Sequence, residues 1–392
     1  MPPAILLGLT LLAADHPDPA AAQMDLARLA RIPARMQQFV DSGKAAGIVT
    51  IVARHGHLAA LDAVGFQEIE SKTPMRTDTL FRIASLTKPV TCAAIMLLAD
   101  QGKLSPLDPV EKFLPDFKGQ KVSTCTPAAG CVSTTPQRPV NIFDLMTHVS
   151  GLPGGFPDPK IPPTTLAERA APAAKMTLLF EPGTAWNYSN VGYAILGRIV
   201  EVVSQQPYDQ FLKANLFDPL GMSETGFAPT SAQRARIAAV YTDDHGALKR
   251  ATQIETQNGP VIPAPEGGLF STASDMLRFN QMILNKGKLN GTRVLSAAAV
   301  DLMASNLTGD LKAGFAPGAG HGLGYEVIRE PLGTYRYNSI GSIVKGGAYR
   351  TYEFIDFAKD ITGIIMFQRT NGGGDTADEI NAFLALAAAA IE

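Results

Sequence analysis

Ser85-Leu86-Thr87-Lys88 sets a hydroxyl and an amine three positions apart. A serine hydroxyl is a weak nucleophile until a neighbour takes its proton. In a helix opened by Ser85, the Lys88 side chain stands one turn later on the same face, within reach of Ser85 Oγ. Thr91 to Asp100 reads as helix. Pro89 fits a first turn, where its missing amide has no intrahelical acceptor, although it biases Lys88 away from helical dihedrals. The same letters recur at Ser342-Ile343-Val344-Lys345 in strand context, where residues three apart point to opposite faces and cannot pair this way. Motifs this short arise readily by chance, so the first match carries weight only alongside other groups.

Two such groups exist. Tyr188-Ser189-Asn190 follows the turn-forming run Glu181 to Trp186 and precedes a helical stripe of Val191, Ile195, Ile199 and Val202. Ser189 or Asn190 can simply cap that helix. A tyrosine beside one or two lysines also has a lowered pKa, and can take a serine proton and return it to a leaving group. No other Tyr-x-Asn occurs among the nine tyrosines. The second group is Lys345-Gly346-Gly347-Ala348, where two glycines ahead of a strand let backbone approach a ligand. An edge strand here would offer the Ala348 N–H, which with the Ser85 N–H makes an oxyanion hole. Lys312-Ala313-Gly314 is a rival match, but no strand directly follows it.

The elements that must position these residues fall into three stretches. Met36, Phe39 and Val40 mark an amphipathic helix with Pro33 near its start, followed by a hairpin of Gly47–Arg54 and Leu58–Val64 around His55-Gly56-His57. From Ser85 to about Pro260, helical patterns alternate with long Pro/Gly/Thr-rich loops, notably Cys125–Pro139 and Gly151–Pro163. Thr272 to Asp275 then reads as the cap of a helix carrying Met276, Phe279 and Ile283. Strands are expected at Gly324–Arg329, Gly333–Tyr337, Ala348–Phe357 and Ile361–Gln368, before a C-terminal helix capped by Thr376. Strands at both ends with helices between predict an α/β sandwich domain with a central antiparallel sheet plus an inserted all-helical domain. The expected divisions are 24–85 with 265–392 for the sheet domain, and 86–264 for the helical one.

Composition sets further bounds. A chain of 392 residues with 46% hydrophobic and 18% charged residues is an ordered two-domain protein. Lys plus Arg (34) and Asp plus Glu (36) nearly balance without long runs of one sign, which excludes a nucleic-acid footprint. Ala4 to Ala14 is apolar over eleven residues and precedes Ala20-Ala21-Ala22. Residues 1–23 therefore read as a signal peptide or disordered leader, although no basic residue precedes the apolar run. Periplasmic or secreted localisation is expected, with the cytoplasm as the alternative and no stable membrane insertion. Pairing of Cys125 with Cys131 would agree with export, and Cys92 reads as a small buried hydrophobe. No metal or organic cofactor is expected, because no second cysteine or histidine pair stands at ligand spacing.

In their order, spacing and contexts, the three motifs resemble the class C β-lactamase-like superfamily. Specifically, they resemble the family VIII carboxylesterases and their penicillin-binding relatives. Phe81–Lys88, Leu145–Leu152, Pro182–Asn190 and Gly267–Asp275 carry the likeness further, from about Leu26 to the C-terminus. The resemblance implies Ser85 as acylated nucleophile, Lys88 and Tyr188 as a coupled acid/base pair, and Asn190 bonding beside them. It implies a cleft between the sheet domain and the helical domain, with Lys345, Gly346 and Gly347 lining the substrate site. β-Lactamases of this class have Lys-Thr-Gly where Gly346 replaces the threonine, so a hydroxyl suited to a β-lactam carboxylate is missing. The esterases often have Trp-Gly-Gly there, which makes Lys345 a hybrid feature able to attract an anionic group. Arg350 stands where relatives often have a small residue; it either adds positive charge to the site or points to solvent, and solvent is the preferred expectation.

Other hydrolase plans fail on their letters. No Gly-x-Ser-x-Gly occurs, Ser-Asp-Asn is absent, and His148 reads as structural rather than as a triad base. Three functions remain. One is an esterase cleaving short-chain or aryl esters through acyl-Ser85. The second is a DD-peptidase or weak β-lactamase, and the third a penicillin-binding sensor that hardly turns over. The expected partner is a small-molecule ester or β-lactam substrate, with no nucleic acid.

Overall fold

The computed structural model describes residues 16–126, 130–157, 163–255, 262–370 and 377–392. Most of the expected leader, and Thr376, lie outside them. Five helices matter here: α1 (Arg31–Asp41), α2 (Thr87–Asp100), α3 (Asn190–Ser204), α4 (Ala273–Leu284) and α5 (Asp378–Ala389). The strands are β1 (Gly47–Arg54), β2 (His57–Glu68), β3 (Thr73–Pro74), β4 (Ala319–His321), β5 (Glu326–Ile328), β6 (Ile343–Gly346), β7 (Thr351–Asp356) and β8 (Ile361–Met366). They form one antiparallel sheet in the order β4-β5-β6-β7-β8-β1-β2-β3.

The β1–β2 connection is tight because His55 (φ 54°) and Gly56 (φ 77°) both adopt the left-handed conformation, which suits the twist of a two-residue hairpin. β1 then pairs with β8, so the two ends of the chain meet at the centre of the sheet. These strands are buried on both faces, hence their nearly continuous apolar runs. Successive side chains point to opposite faces. Val344, Phe354 and Ile365 pack with Met36 and Phe39 of α1 and with Ile380 and Phe383 of α5. Ile343, Ile355 and Ile364 face the opposite way, toward the core that holds α2, α3 and α4. α2 is buried all round from Thr87 to Leu98, as an apolar helix enclosed by neighbours must be.

Several expectations need correction. Gly333–Tyr337 is not a strand: Gly333–Tyr335 is a 3-10 turn, with Gly333 at φ 54°. Its aromatic pattern reflects Tyr335, which is buried and donates a 2.8 Å bond to Glu326 Oε2. The stretch read as a loop from Cys125 contains an antiparallel hairpin, Val122–Thr126 with Gly130–Thr134, in which Cys125 stands opposite Cys131. Cys131 is disulfide-bonded, and Cys92 is free and buried. Arg350 does not reach solvent; it is 5% exposed, with its guanidinium 4.0 Å from Glu379 on α5. Nor is there an edge strand beside Lys345. The β4–β5 hairpin adds two strands outside β6, and Ala348 sits in the β6–β7 turn. Among the described residues no helix is long and apolar enough to cross a membrane.

Candidate active site

Ser85 lies in the 3-10 turn Ala84–Leu86, which runs straight into α2. Lys88 is helical despite Pro89, and the proline falls in the first turn, where its missing amide costs no intrahelical bond. Ala84 is left-handed (φ 47°), a conformation that costs a non-glycine residue energy unless its surroundings hold it. They do so from two sides. Ile83 donates its N–H to Leu269 O (3.0 Å) and accepts at its carbonyl from Thr351 Oγ1 (2.9 Å). Gly347 packs so closely that an added Cβ would stand 2.2 Å from Thr351 Oγ1 and 2.6 Å from Ile83 O. The segment carrying Lys345, Gly346 and Ala348 is thereby pinned beside the Ser85 turn.

Two groups converge on the Ser85 hydroxyl, and two more stand behind them. Tyr188 OH donates to Ser85 Oγ at 2.8 Å. Lys88 Nζ donates to Ser85 Oγ (3.2 Å), Asn190 Oδ1 (2.8 Å) and the Glu266 carbonyl (2.6 Å). An ammonium has three protons to place, and each finds an acceptor, which explains how Lys88 is held with no exposure at all. Asn190 is delivered by the start of α3, where Ser189 is the cap and accepts from Gly192 N at 3.2 Å. Lys345 approaches from the sheet, its Nζ 4.9 Å from the centre of the Tyr188 ring, while Lys88 Nζ is 4.7 Å from it.

Burial lowers the Lys88 pKa, the Tyr188 charge opposes that, and Lys345 adds to it. Burial alone would raise the Tyr188 phenol, but Lys345, Lys88 and the bonds from Lys88 and Ser85 outweigh it and bring it below its ordinary value. The two positive charges therefore favour phenolate next to the serine.

A wall of neutral rings seats the phenol. His148 lies 4.4 Å from the Tyr188 ring and accepts at Nδ1 from Ser189 N (3.1 Å). Phe315 lies edge-on to the same ring at 4.9 Å, with Trp186 6.2 Å away. Burial, then His321 and the two lysines, hold His148 far below the usual histidine range. Burial, then Lys345, brings His321 to about 3. Neither imidazole adds charge at neutral pH. His148 is structural, as its place in the sequence suggests, and its part is to pack against the Tyr188 ring. The Glu266 carbonyl left no trace in the letters, because any residue supplies one. Its carboxylate is engaged by Arg169.

The beta-lactamase family model matches residues 32–387. The chain belongs to the beta-lactamase family. Among its relatives in that family, Esterase EstB of Burkholderia gladioli is 30% identical over 383 residues, covering 89% of this chain and 93% of that one. Penicillin-binding protein 4 of Amycolatopsis lactamdurans is 34% identical over 250 residues, covering 63% of this chain and 62% of the relative. The solved structure of EstCE1, described as a hydrolase with promiscuous acyltransferase activity, superposes with a TM-score of 0.78 at 24% identity, over 93% of this chain and 98% of that one. The beta-lactamase-family fold thus joins this chain to a serine hydrolase superfamily with esterase and penicillin-binding members.

Proposed function

We propose that this protein is a serine esterase that cleaves short-chain or aryl carboxylic esters through an acyl-Ser85 intermediate. The observation that carries the reading is the 2.8 Å contact of Tyr188 OH with Ser85 Oγ under two flanking lysines. Tyr188 as phenolate takes the Ser85 proton while Oγ attacks the ester carbonyl carbon. The resulting oxyanion is received by the Ser85 and Ala348 N–H groups. As the tetrahedral centre collapses, Tyr188 returns the proton to the departing alcohol oxygen. Water then repeats the sequence, giving Tyr188 a proton, attacking the acyl carbon and releasing the carboxylic acid with Ser85 restored. Lys88 works throughout as a fixed positive charge, its protons committed to Ser85, Asn190 and Glu266.

Gly346 favours an ester over a β-lactam, since no hydroxyl stands there for a β-lactam carboxylate. Lys345 favours the second reading, a DD-peptidase or weak β-lactamase, because a buried cation at the cleft suits a carboxylate-bearing substrate. The helical stretch 86–264 and the sheet segments 24–85 and 265–392 serve as the two walls of this site. The Cys131 disulfide supports an exported protein.

The discriminating assay offers purified protein a p-nitrophenyl ester series, nitrocefin and a D-Ala-D-Ala peptide, with Ser85→Ala as control. Rapid ester turnover with negligible peptide cleavage, abolished in Ser85→Ala, supports the esterase. Preferential cleavage of peptide or nitrocefin selects the second reading, and stoichiometric labelling without turnover selects a sensor.

A further inference from the structure

Beneath Lys345, on the same face of the sheet, lies a carboxyl that the chemistry above does not use. The β6–β7 register sets Lys345 opposite Glu353. Strand alternation turns both side chains toward the core that holds α2 and α4, as it does for Ile343 and Ile355. Directly opposed residues of an antiparallel pair have Cβ atoms about 5 Å apart, so the two groups are immediate neighbours. Glu353 is fully enclosed, and among the described residues neither carboxyl oxygen makes a hydrogen bond of ordinary geometry, although Asn280 lies near enough to favour its charge. Around it, α4 supplies Asn280, whose amide donates to Thr362 Oγ1 of β8 at 3.2 Å. The β4–β5 turn supplies Tyr325, whose buried hydroxyl has no hydrogen-bond partner among the described residues. α2 supplies Cys92, which influences Tyr325. Lys345 is the cation that acts on Glu353.

We propose that Glu353 is a positioning residue that acts through Lys345: the charge on its carboxyl decides whether the Lys345 ammonium stands over the Tyr188 phenol or is drawn back toward the sheet. The inference rests on the reading of Tyr188 and Lys345 given above. Burial pushes the Glu353 carboxyl up to about 8, against smaller opposing effects of Asn280 and Lys345. At neutral pH the group is therefore an uncharged acid, and Lys345 is left to the phenol. In mildly alkaline solution it becomes a carboxylate with one cation at hand. Movement of Lys345 toward it withdraws positive potential from Tyr188, and the phenolate that activates Ser85 becomes harder to form.

The test compares wild type, Glu353→Gln and Glu353→Leu, alone and in a Lys345→Met background. The first readout is the ratio of kcat/KM on a p-nitrophenyl ester in alkaline and neutral buffer. The second is Tyr188 ionisation, followed by near-ultraviolet tyrosinate absorbance after subtraction of Tyr188→Phe. Both Glu353 variants should raise the alkaline-to-neutral ratio at least about fivefold and lower the Tyr188 midpoint by about half a pH unit or more. In the Lys345→Met background neither quantity should respond. Unchanged ratios and midpoints would overturn the proposal, as would equal responses with and without Lys345. The absorbance readout does not depend on turnover. If the enzyme proves inactive on esters, the reading of function fails separately while the Tyr188 midpoint still decides the role of Glu353. Glu353→Leu supplies the result should the buried amide prevent folding.

Discussion

Tyr188 donates a 2.8 Å hydrogen bond to the side-chain oxygen of Ser85, a residue 103 positions earlier in the chain. The contact joins the start of α3 to the turn that opens α2. If Tyr188 handles the serine proton, Tyr188→Phe keeps the ring against His148 and Phe315 and removes only the hydroxyl. Ester kcat should fall about a thousandfold, within the range for loss of a general acid/base group. The unfolding midpoint should barely move. Steady-state kinetics with a denaturation curve on the same preparation checks both.

Lys88 separates charge from volume. Lys88→Met keeps most of the volume without an ammonium, and it shares with Lys88→Ala the cost of losing the hydrogen bonds Lys88 donates to Ser85, Asn190 and the Glu266 carbonyl. Lys88→Ala leaves a cavity as well, and should be less stable than Lys88→Met by about 2 kcal/mol. Both should lose ester hydrolysis about a thousandfold. Urea unfolding of the pair alongside their kinetics tests whether the lysine serves chemistry rather than packing.

Gly347 closes the gap between the β6–β7 turn and the Ser85 turn. A methyl group there meets Thr351 Oγ1 and Ile83 O at 2.2 and 2.6 Å, and one of the two neighbours is backbone. Gly347→Ala should destabilise the protein by about 1–3 kcal/mol, as overpacking does, and should lower kcat more than it raises KM. Thermal unfolding and kinetics against Gly226→Ala, a position with open space around it and no left-handed backbone, supply the comparison.

Stability should also fall as pH rises from about 4.5 to about 8. Glu353 has a carboxyl raised from 4.5 to about 8 by burial. Between those values the unfolded chain has released the proton and the folded one retains it, so unfolding gains with rising pH. The contribution is complete below about 4.5 and is lost as pH rises through about 8. Its size is on the order of a few kcal/mol. Glu353→Gln should therefore gain on wild type steadily across this window. Equal pH slopes for the two proteins would show that Glu353 is ionised in the fold.

The chemistry was legible wherever one helix or one turn sets the geometry. Ser85 and Lys88 meet by helical spacing alone, and Asn190 follows Tyr188 into α3 by chain continuity. What escaped the letters depends on long-range packing. The Glu266 carbonyl reaches Lys88 from 178 residues away. Glu353 becomes a neighbour of Lys345 only through strand register. The fold follows the same division. β1, β2 and β8 have apolar runs that identify themselves, whereas Gly333–Tyr335 has a strand-like aromatic pattern because Tyr335 is buried to reach Glu326. Arg350 was misplaced for a similar reason, since Glu379 on α5 meets it only after the chain has closed.

The central claim is that Ser85 becomes acylated, with Tyr188 moving its proton. Rapid acid quenching during turnover of a p-nitrophenyl ester, followed by peptide mass mapping, tests it most directly. The account predicts one acyl group on the peptide containing Ser85 in wild type, none in Ser85→Ala, and much slower labelling in Tyr188→Phe. An acyl group on another residue, or turnover that persists in Ser85→Ala, would contradict it.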